Sequence, residues 1–401
     1  MFKSLGFSST DYLLILLLLL TEMARSAFFL TFWPLYSTHY LNFSVIVAGV
    51  VVSAHYLSET LFKVAAGSQL DRYGRPVLVL GLILSLISLL LIYRQQHHIP
   101  IIILSCLFGI GFAPVWLAVI SNVAPVNIAN RAARIGIVFS AWLAGAGIGS
   151  VGVNFILTIG FLQTFHIIMA SWVFCVILVL ITPLKINTSP QGSSVLEQFK
   201  KLLDNQITIK ILLPGMFLQT LAASLLLPIL PIYATTELGL DSQGYGWLLI
   251  AGGTAAVALL FPMGKLVDRL PLKVSLTSGF LLSALFLFMV PLTRNYSLVM
   301  GLVIMVGMSY AFLLPAWNTL LAKVIPPERQ ATGWGIFSTL EGLGIAAGPI
   351  IGGAISAWLH PGGAIFLSSL ILAGMGCFYL YYPFEKLTIK PGVDVNVNKL
   401  S

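Results

Sequence analysis

Five ionisable side chains sit where the surrounding sequence is almost wholly apolar: Glu22 and Arg25 in one stretch, His55, Glu59 and Lys63 in the next. Glu22 and Arg25 are three apart, and His55, Glu59 and Lys63 follow one another in steps of four, so each set shares one face of a helix. Glu59 precedes Lys63 by four, the favourable order for an ion pair. A charged side chain at the centre of a bilayer costs roughly 2.5–3.5 kcal/mol on insertion scales. Two carboxylates and two cations sum to zero, which offsets part of that cost and leaves a network that can titrate. Protonation of Glu59 or Glu22 would loosen its hold on Arg25, and a released guanidinium takes acceptor-rich groups well. The bland alternative is that the charges only neutralise one another and pin two helices together, with His55 as a packing residue and Lys63 snorkelling to the surface.

The elements that carry these residues follow from composition. Only 8% of the 401 residues are charged and 58% are hydrophobic, more apolar surface than a soluble core uses. A spanning helix takes about 20 mostly apolar residues. The expected spans are 12–40, 43–66, 77–94, 99–123, 134–160, 163–183, 208–235, 243–264, 272–292, 296–325, 333–358 and 361–383. The fold class is therefore an all-α integral membrane protein of twelve transmembrane helices. Its expected organisation is an N-terminal half over 1–183, a linker over 184–207, a C-terminal half over 208–383 and a tail over 384–401. The linker carries a Ser/Pro/Gly break and then an amphipathic piece with Lys200 and Lys201, read as a helix on the membrane surface. The first apolar segment is too long for a signal-peptide core and is expected to stay in the mature protein.

The net charge of +8 does not point to nucleic acid, because seventeen of the 21 Lys and Arg fall at the termini and in the even-numbered loops. That bias is the positive-inside pattern and puts both termini in the cytoplasm. Cys106, Cys175 and Cys377 lie inside apolar segments and read as small packing residues.

The chain repeats itself. Pro34 and Tyr36 fall on Pro231 and Tyr233 at an offset of 197, Gly67, Asp71 and Arg72 fall on Gly264, Asp268 and Arg269 at the same offset, and Pro114 and Trp116 fall on Pro315 and Trp317 at 201. Two six-helix halves in one orientation imply a site near the midplane between them. The repeat also isolates the intramembrane charges. At an offset of 197, Glu22 maps to Gln219, Arg25 to Ala222, His55 to Gly252, Glu59 to Ala256 and Lys63 to Leu260. A cavity polar on one side and apolar on the other suits an amphiphile with a polar head and apolar tails. Further cavity candidates are Trp116, Trp142 and Trp317, whose faces can stack on sugars or cations, with Gln219, Asn318 and Glu341, the lone carboxylate within the second-half spans. Pro114 and Pro315 are expected to break their helices beside the tryptophans, as suits gating elements.

The stretch GSQLDRYGRP, with Gly67, Asp71, Arg72, Gly74 and Arg75, resembles the loop between helices 2 and 3 of the major facilitator superfamily, and GKLVDRL, with Asp268 and Arg269, is its weaker second copy. Gly67 is expected to let helices approach, Gly74 to turn the backbone, and Asp71 to pair with cationic groups across a rocking interface. LLLTEMARSAFF, LLPGMFLQTLAASLLLPILPIYAT, YAFLLPAWNTLLAKV and WGIFSTLEGLGIAAGPIIGG are similar to the glycolipid flippases of lipoteichoic acid assembly in Gram-positive bacteria. The resemblance implies proton-coupled transfer of a disaccharide-diacylglycerol between leaflets, and it carries functional roles to Glu22, Arg25 and, with Glu in place of Asp, Glu59.

Alternating access follows as the expected mechanism, with protons and a membrane lipid or other amphiphile as partners, no cofactor beyond the proton gradient, a monomer as the working unit, and a bacterial cell membrane as the location. Proton-coupled efflux of drug-like amphiphiles keeps the same fold with another cargo. Uptake of a soluble sugar fits poorly with so few polar groups in the second half. HExxH, CxxC and GxSxG are absent from the sequence, which leaves an enzyme without a motif.

Overall fold

The computed structural model describes residues 7–125, 131–181, 213–324 and 330–382, all of them in helices and short connections; the linker and its lysines lie outside the described residues. In chain order the helices are α1 (Ser9–Tyr40), α2 (Val45–Tyr73), α3 (Arg75–Tyr93), α4 (His98–Val123), α5 (Arg131–Ile156), α6 (Phe161–Ile181), α7 (Gly215–Thr236), α8 (Ser242–Val267), α9 (Leu272–Met289) and α10 (Tyr296–Val324). Among the described residues eleven apolar stretches are long enough to cross a membrane, and the last of them, Thr339–Tyr381, has 43 residues. A straight helix of that length would reach about 65 Å, twice a bilayer core. Leu359 (φ −121°, ψ 17°) and His360 (φ 64°, ψ 166°) break it. The two pieces, α11 (330–358) and α12 (361–381), bring the crossings to the expected twelve.

Helix ends obey local chemistry. Ser8 caps α1, accepting from the Asp11 N–H while Asp11 reaches back to the Ser8 N–H, a reciprocal capping box. Pro34 has no N–H to give, and α1 widens into π-type turns at Ala27–Phe32 and Tyr36–Tyr40 on either side of it. The loop expected between the spans ending at 66 and starting at 77 is shorter than its sequence suggests. α2 continues helically through Asp71 and Arg72 to Tyr73 because nothing breaks its ladder before Gly74. Gly74 turns the chain at φ 67°, ψ −134°, a conformation only glycine adopts readily. Arg75 then donates to the carbonyls of Val179 (3.1 Å) and Leu180 (2.6 Å), closing the exposed end of α6.

Packing repeats as the sequence does. In the first half α1 lies on α5, α2 on α4, and α3 on α4 and α6; in the second, α7 lies on α11, α8 on α10, and α9 on α10 and α12. The close approach expected at Gly67 occurs elsewhere. A methyl group at 67 would meet Leu117 at an ordinary 3.4 Å, whereas one at Gly109 would run into the His55 carbonyl and Ser58. α4 therefore presses on α2 at the height of the charged residues.

The halves touch chiefly through two matched pairs, α2 with α11 and α5 with α8, and α1 at Trp33–Leu35 also meets α7 at Ile229–Thr236. Gly353 packs on Val45 and Ile46, Gly49 on Pro349, and the Ile350 N–H donates to Ser53 Oγ at 3.0 Å. The series reaches Gly342 against Thr60. α5 and α8 meet at Gly246, set against Asn154 and Phe155, with Trp247 edge-on to Phe155 at 5.6 Å. Beyond Thr60, toward Asp71, the α2 residues Leu61, Phe62 and Val64 are exposed. The molecule is thus closed at the end holding Val45 and Gly246 and parted at the end holding Asp71 and Asp268.

Candidate functional site

α1 and α2 bring all five charged or titratable residues into one contiguous chain of contacts. Arg25 donates from Nε (3.0 Å) and Nη2 (2.7 Å) to Glu22 Oε2, and from Nη1 to Glu59 Oε2 at 3.3 Å. Nη1 also lies 3.4 Å from His55 Nε2. Glu59 gives its other oxygen, Oε1, to Lys63 Nζ at 3.1 Å. One carboxylate thus bridges two cations.

The surroundings fix each group. The Arg25 guanidinium sits over the rings of Phe112 (4.8 Å) and Tyr56 (5.2 Å), contacts that strengthen where water is absent. The His55 ring stacks on Phe29 with centroids 4.1 Å apart and planes at 6°. Behind Glu22, α5 comes close because Gly145 lacks a side chain: a Cβ there would lie 3.0 Å from Glu22 Cβ. Exposure rises along the network. Glu22, Arg25, His55 and Glu59 are buried, whereas the Lys63 side chain keeps 31% of its surface. Lys63 is the end of the network that meets the parted side of the molecule, and Glu59 is the first carboxylate behind it. Removing one partner from a buried pair costs about 3–5 kcal/mol because the other charge is stranded, so these groups depend on one another.

The remaining candidates divide. Trp116 and Trp142, both partly exposed, stand edge to face at 6.4 Å, with Phe139 4.9 Å from Trp116. They form an aromatic wall from α4 and α5. Trp317 occupies the repeat position of Trp116 but is 2% exposed, edge-on to Phe280 (6.0 Å) and Tyr379 (6.3 Å). It packs in the second-half core and belongs to no cavity wall. Asn318 is exposed, Gln219 and Glu341 are partly exposed, and among the described residues none of the three side chains has a hydrogen-bond partner. Glu341 directly precedes Gly342, which rests on Thr60 of α2. Pro114 and Pro315 lie inside continuous helices. Asp71, Arg72, Asp268 and Arg269 are exposed on the parted side, and among the described residues neither Asp71 nor Asp268 has an ion-pair partner.

Two polar contacts had no signal in the spacing. Asp11 pairs with Arg134 at 3.4 Å, and Arg134 also donates to the Val123 carbonyl at 2.9 Å, tying together the ends of α1, α4 and α5. Glu237 at the far end of α7 accepts from the Gly362 N–H at 2.8 Å and lies 3.1 Å from His360 Nδ1, holding the α11–α12 turn.

Two matched six-helix halves, parted on one side around a buried, charge-balanced network, define a membrane carrier. The family model of the Major Facilitator Superfamily matches the chain in two segments, 14–213 and 212–395, and the chain belongs to that superfamily: it is a multi-pass membrane transporter and not an enzyme. Among relatives, the proton-coupled antiporter flippase LtaA of Staphylococcus saprophyticus is 30% identical over 396 residues, covering 96% of both chains. LtaA of Staphylococcus haemolyticus is 29% identical over 388 residues, covering 94% of this chain and 95% of that one. Among solved structures, the nucleoside transporter NupG aligns with a TM-score of 0.74 at 14% identity over 94% of this chain and 100% of its own. A bacterial homolog of the human lysosomal transporter Spinster, inward-facing and unoccupied, aligns with a TM-score of 0.74 at 16% identity over 92% of this chain and 95% of its own. At such identities the structures speak for the fold alone.

Proposed function

We propose that this transporter exchanges protons for an amphiphile, carrying a glycosyl-diacylglycerol from the inner to the outer leaflet. The observation that carries this reading is the position of Glu59, with Oε1 on Lys63 at 3.1 Å and Oε2 on Arg25 at 3.3 Å. A proton arriving on Glu59 cancels both attractions at once. Arg25 then keeps Glu22 as its carboxylate partner, and Glu59 no longer offers a charged acceptor to the hydroxyl-rich head of the substrate. The head takes hydrogen bonds from Arg25 and gives them to the ionised Glu59, and a proton on Glu59 withdraws that acceptor and expels the head, so proton and substrate compete for one carboxylate, which is antiport.

The shape of the site supports an amphiphilic cargo. Polar groups gather in the first half, with Trp116 and Trp142 as a stacking surface for sugar rings, while the repeat positions in the second half are neutral. α2 and α11 are joined as far as Thr60, but α5 and α8 meet only near Gly246, with Gly147 and Gly253 each facing open space. Acyl tails can stay in the lipid on that side while the head crosses. The relatives named as flippases point the same way. With the basic residues gathered on the Asp71 side, that side and both termini are cytoplasmic, and the described conformation is open inward. Each chain holds a whole network and works as a monomer.

The test is flipping of a fluorescent diglucosyl-diacylglycerol in proteoliposomes under an imposed pH gradient. Glu59→Gln, which can neither take up nor give up a proton, should lose the response to the gradient. An unaltered response would remove Glu59 from the mechanism, and transport of several unrelated lipophilic cations with no lipid flipping would replace the cargo.

A further inference from the structure

We infer that His55 is a positioning residue: a permanently neutral imidazole that accepts from Arg25 through Nε2 and thereby aims the guanidinium, carrying no proton itself. The inference rests on the coupling role of Arg25 just described and adds a specific function for the ring beside it.

The geometry leaves one assignment of the ring proton. His55 Nε2 lies 3.4 Å from Arg25 Nη1. A guanidinium has five donors and no acceptor, so Nε2 must be bare and the proton must sit on Nδ1. A doubly protonated ring would set N–H against N–H between two cations. The ring cannot turn away from that contact. It is fully buried, stacked on Phe29 of α1 at 4.1 Å, edge-on to Phe108 of α4 at 5.3 Å and tilted against Tyr56 at 4.9 Å. Gly109 brings α4 onto the His55 carbonyl, fixing the backbone as well.

The groups that face this ring are Glu22 and Arg25 from α1 and Tyr56, Glu59 and Lys63 from α2, while α4 contributes the uncharged rings of Phe108 and Phe112. Glu59 Oε2 is 3.8 Å from Nε2, beyond a hydrogen bond. Among the described residues Nδ1 has no hydrogen-bond partner, so Nε2 makes the ring's one polar contact there. When Glu59 takes up a proton, Arg25 Nη1 loses one of its two acceptors and His55 is the other. The imidazole keeps Nη1 from folding back on Glu22 and holds it toward the space the substrate head enters.

Two substitutions separate positioning from proton carriage. In His55→Gln the side-chain oxygen can replace Nε2 as acceptor, and the amide itself does not titrate. In His55→Phe the ring stays on Phe29 and the acceptor is gone. Flipping of the fluorescent glycolipid is measured against a series of internal pH values. Gln is expected to keep the wild-type pH midpoint and a rate within about threefold, and Phe to lose about tenfold or more, the value of one hydrogen bond to a charged group. Equal loss in both variants, a moved midpoint in Gln, or a wild-type rate in Phe would overturn the inference. A second measurement needs no transport: ring-nitrogen NMR of 15N-histidine protein in bilayers, with His55 assigned by its absence from His55→Gln. One protonated and one bare nitrogen are expected throughout about pH 5–8, the range in which an ordinary histidine changes charge; an imidazolium in that range overturns the inference. Wild-type vesicles that flip no glycolipid would count against the proposed function, and the NMR result would still decide the role of His55.

Discussion

Replacing Arg25 with Met strands Glu22, because both of the hydrogen bonds Glu22 receives, at 2.7 and 3.0 Å, come from that guanidinium. Glu59 fares better, since Lys63 remains 3.1 Å from its other oxygen. The loss should therefore fall on one carboxylate, with a cost of about 3–5 kcal/mol if it stays ionised. Glu22 can escape only by binding a proton. Above pH 5 the same side chain in the unfolded protein is ionised, so the folded variant holds one proton more than the unfolded one. Its stability must then fall as pH rises, by about 1.4 kcal/mol per unit, until the full cost of the stranded charge is reached. Glu22→Gln in the same chain removes the stranded group and leaves Glu59 and Lys63 balanced. Thermal unfolding of the purified variants, scanned at one rate from pH 5 to 8, should show Arg25→Met losing ground steadily against the wild type. The double variant should run parallel to the wild type and regain at least half of the loss. An Arg25→Met curve parallel to the wild type, or a double variant no better than the single, would refute the picture of a mutually dependent network.

The two tryptophans at matched repeat positions should fail differently. Trp317→Ala empties a fully packed site and should cost about 3–5 kcal/mol of stability, read as lost thermal midpoint and yield, whereas Trp116→Ala should fold normally and lose glycolipid binding and flipping. Lys63→Met removes the cation 3.1 Å from Glu59, so a proton is taken up more easily; the pH at which transport is half-maximal should move upward in the vesicle assay, with folding little changed because Lys63 is partly exposed.

Much of this architecture is legible in the chain because a bilayer leaves few options. Apolar runs of spanning length fix the number of crossings, and a break as slight as Leu359–His360 is marked by the Pro361 that follows it. The network is legible because steps of three and four set Glu22 beside Arg25 and align His55, Glu59 and Lys63; spacing along one helix survives into three dimensions. Contacts between distant helices leave no such trace. Asp11 and Arg134 are 123 positions apart, and neither carries a mark of the other. Trp116 and Trp317 share a repeat position, yet one stands at a partly open wall and the other fills a core, a difference set by neighbours such as Phe280 and Tyr379 on other helices. Gly67 and Gly109 are equally plain as letters, and only the approach of α4 shows that the second is the one that admits a neighbouring backbone.

Exchange itself is the most direct observable. In vesicles loaded with a pH-sensitive dye and holding the wild-type protein, addition of diglucosyl-diacylglycerol without any imposed gradient should start a proton flux opposite in direction to the lipid. The flux should vanish in Glu59→Gln. Lipid movement in the wild type with no accompanying proton flux, or a flux that persists undiminished in Glu59→Gln, would contradict a carrier in which proton and glycolipid compete for Glu59.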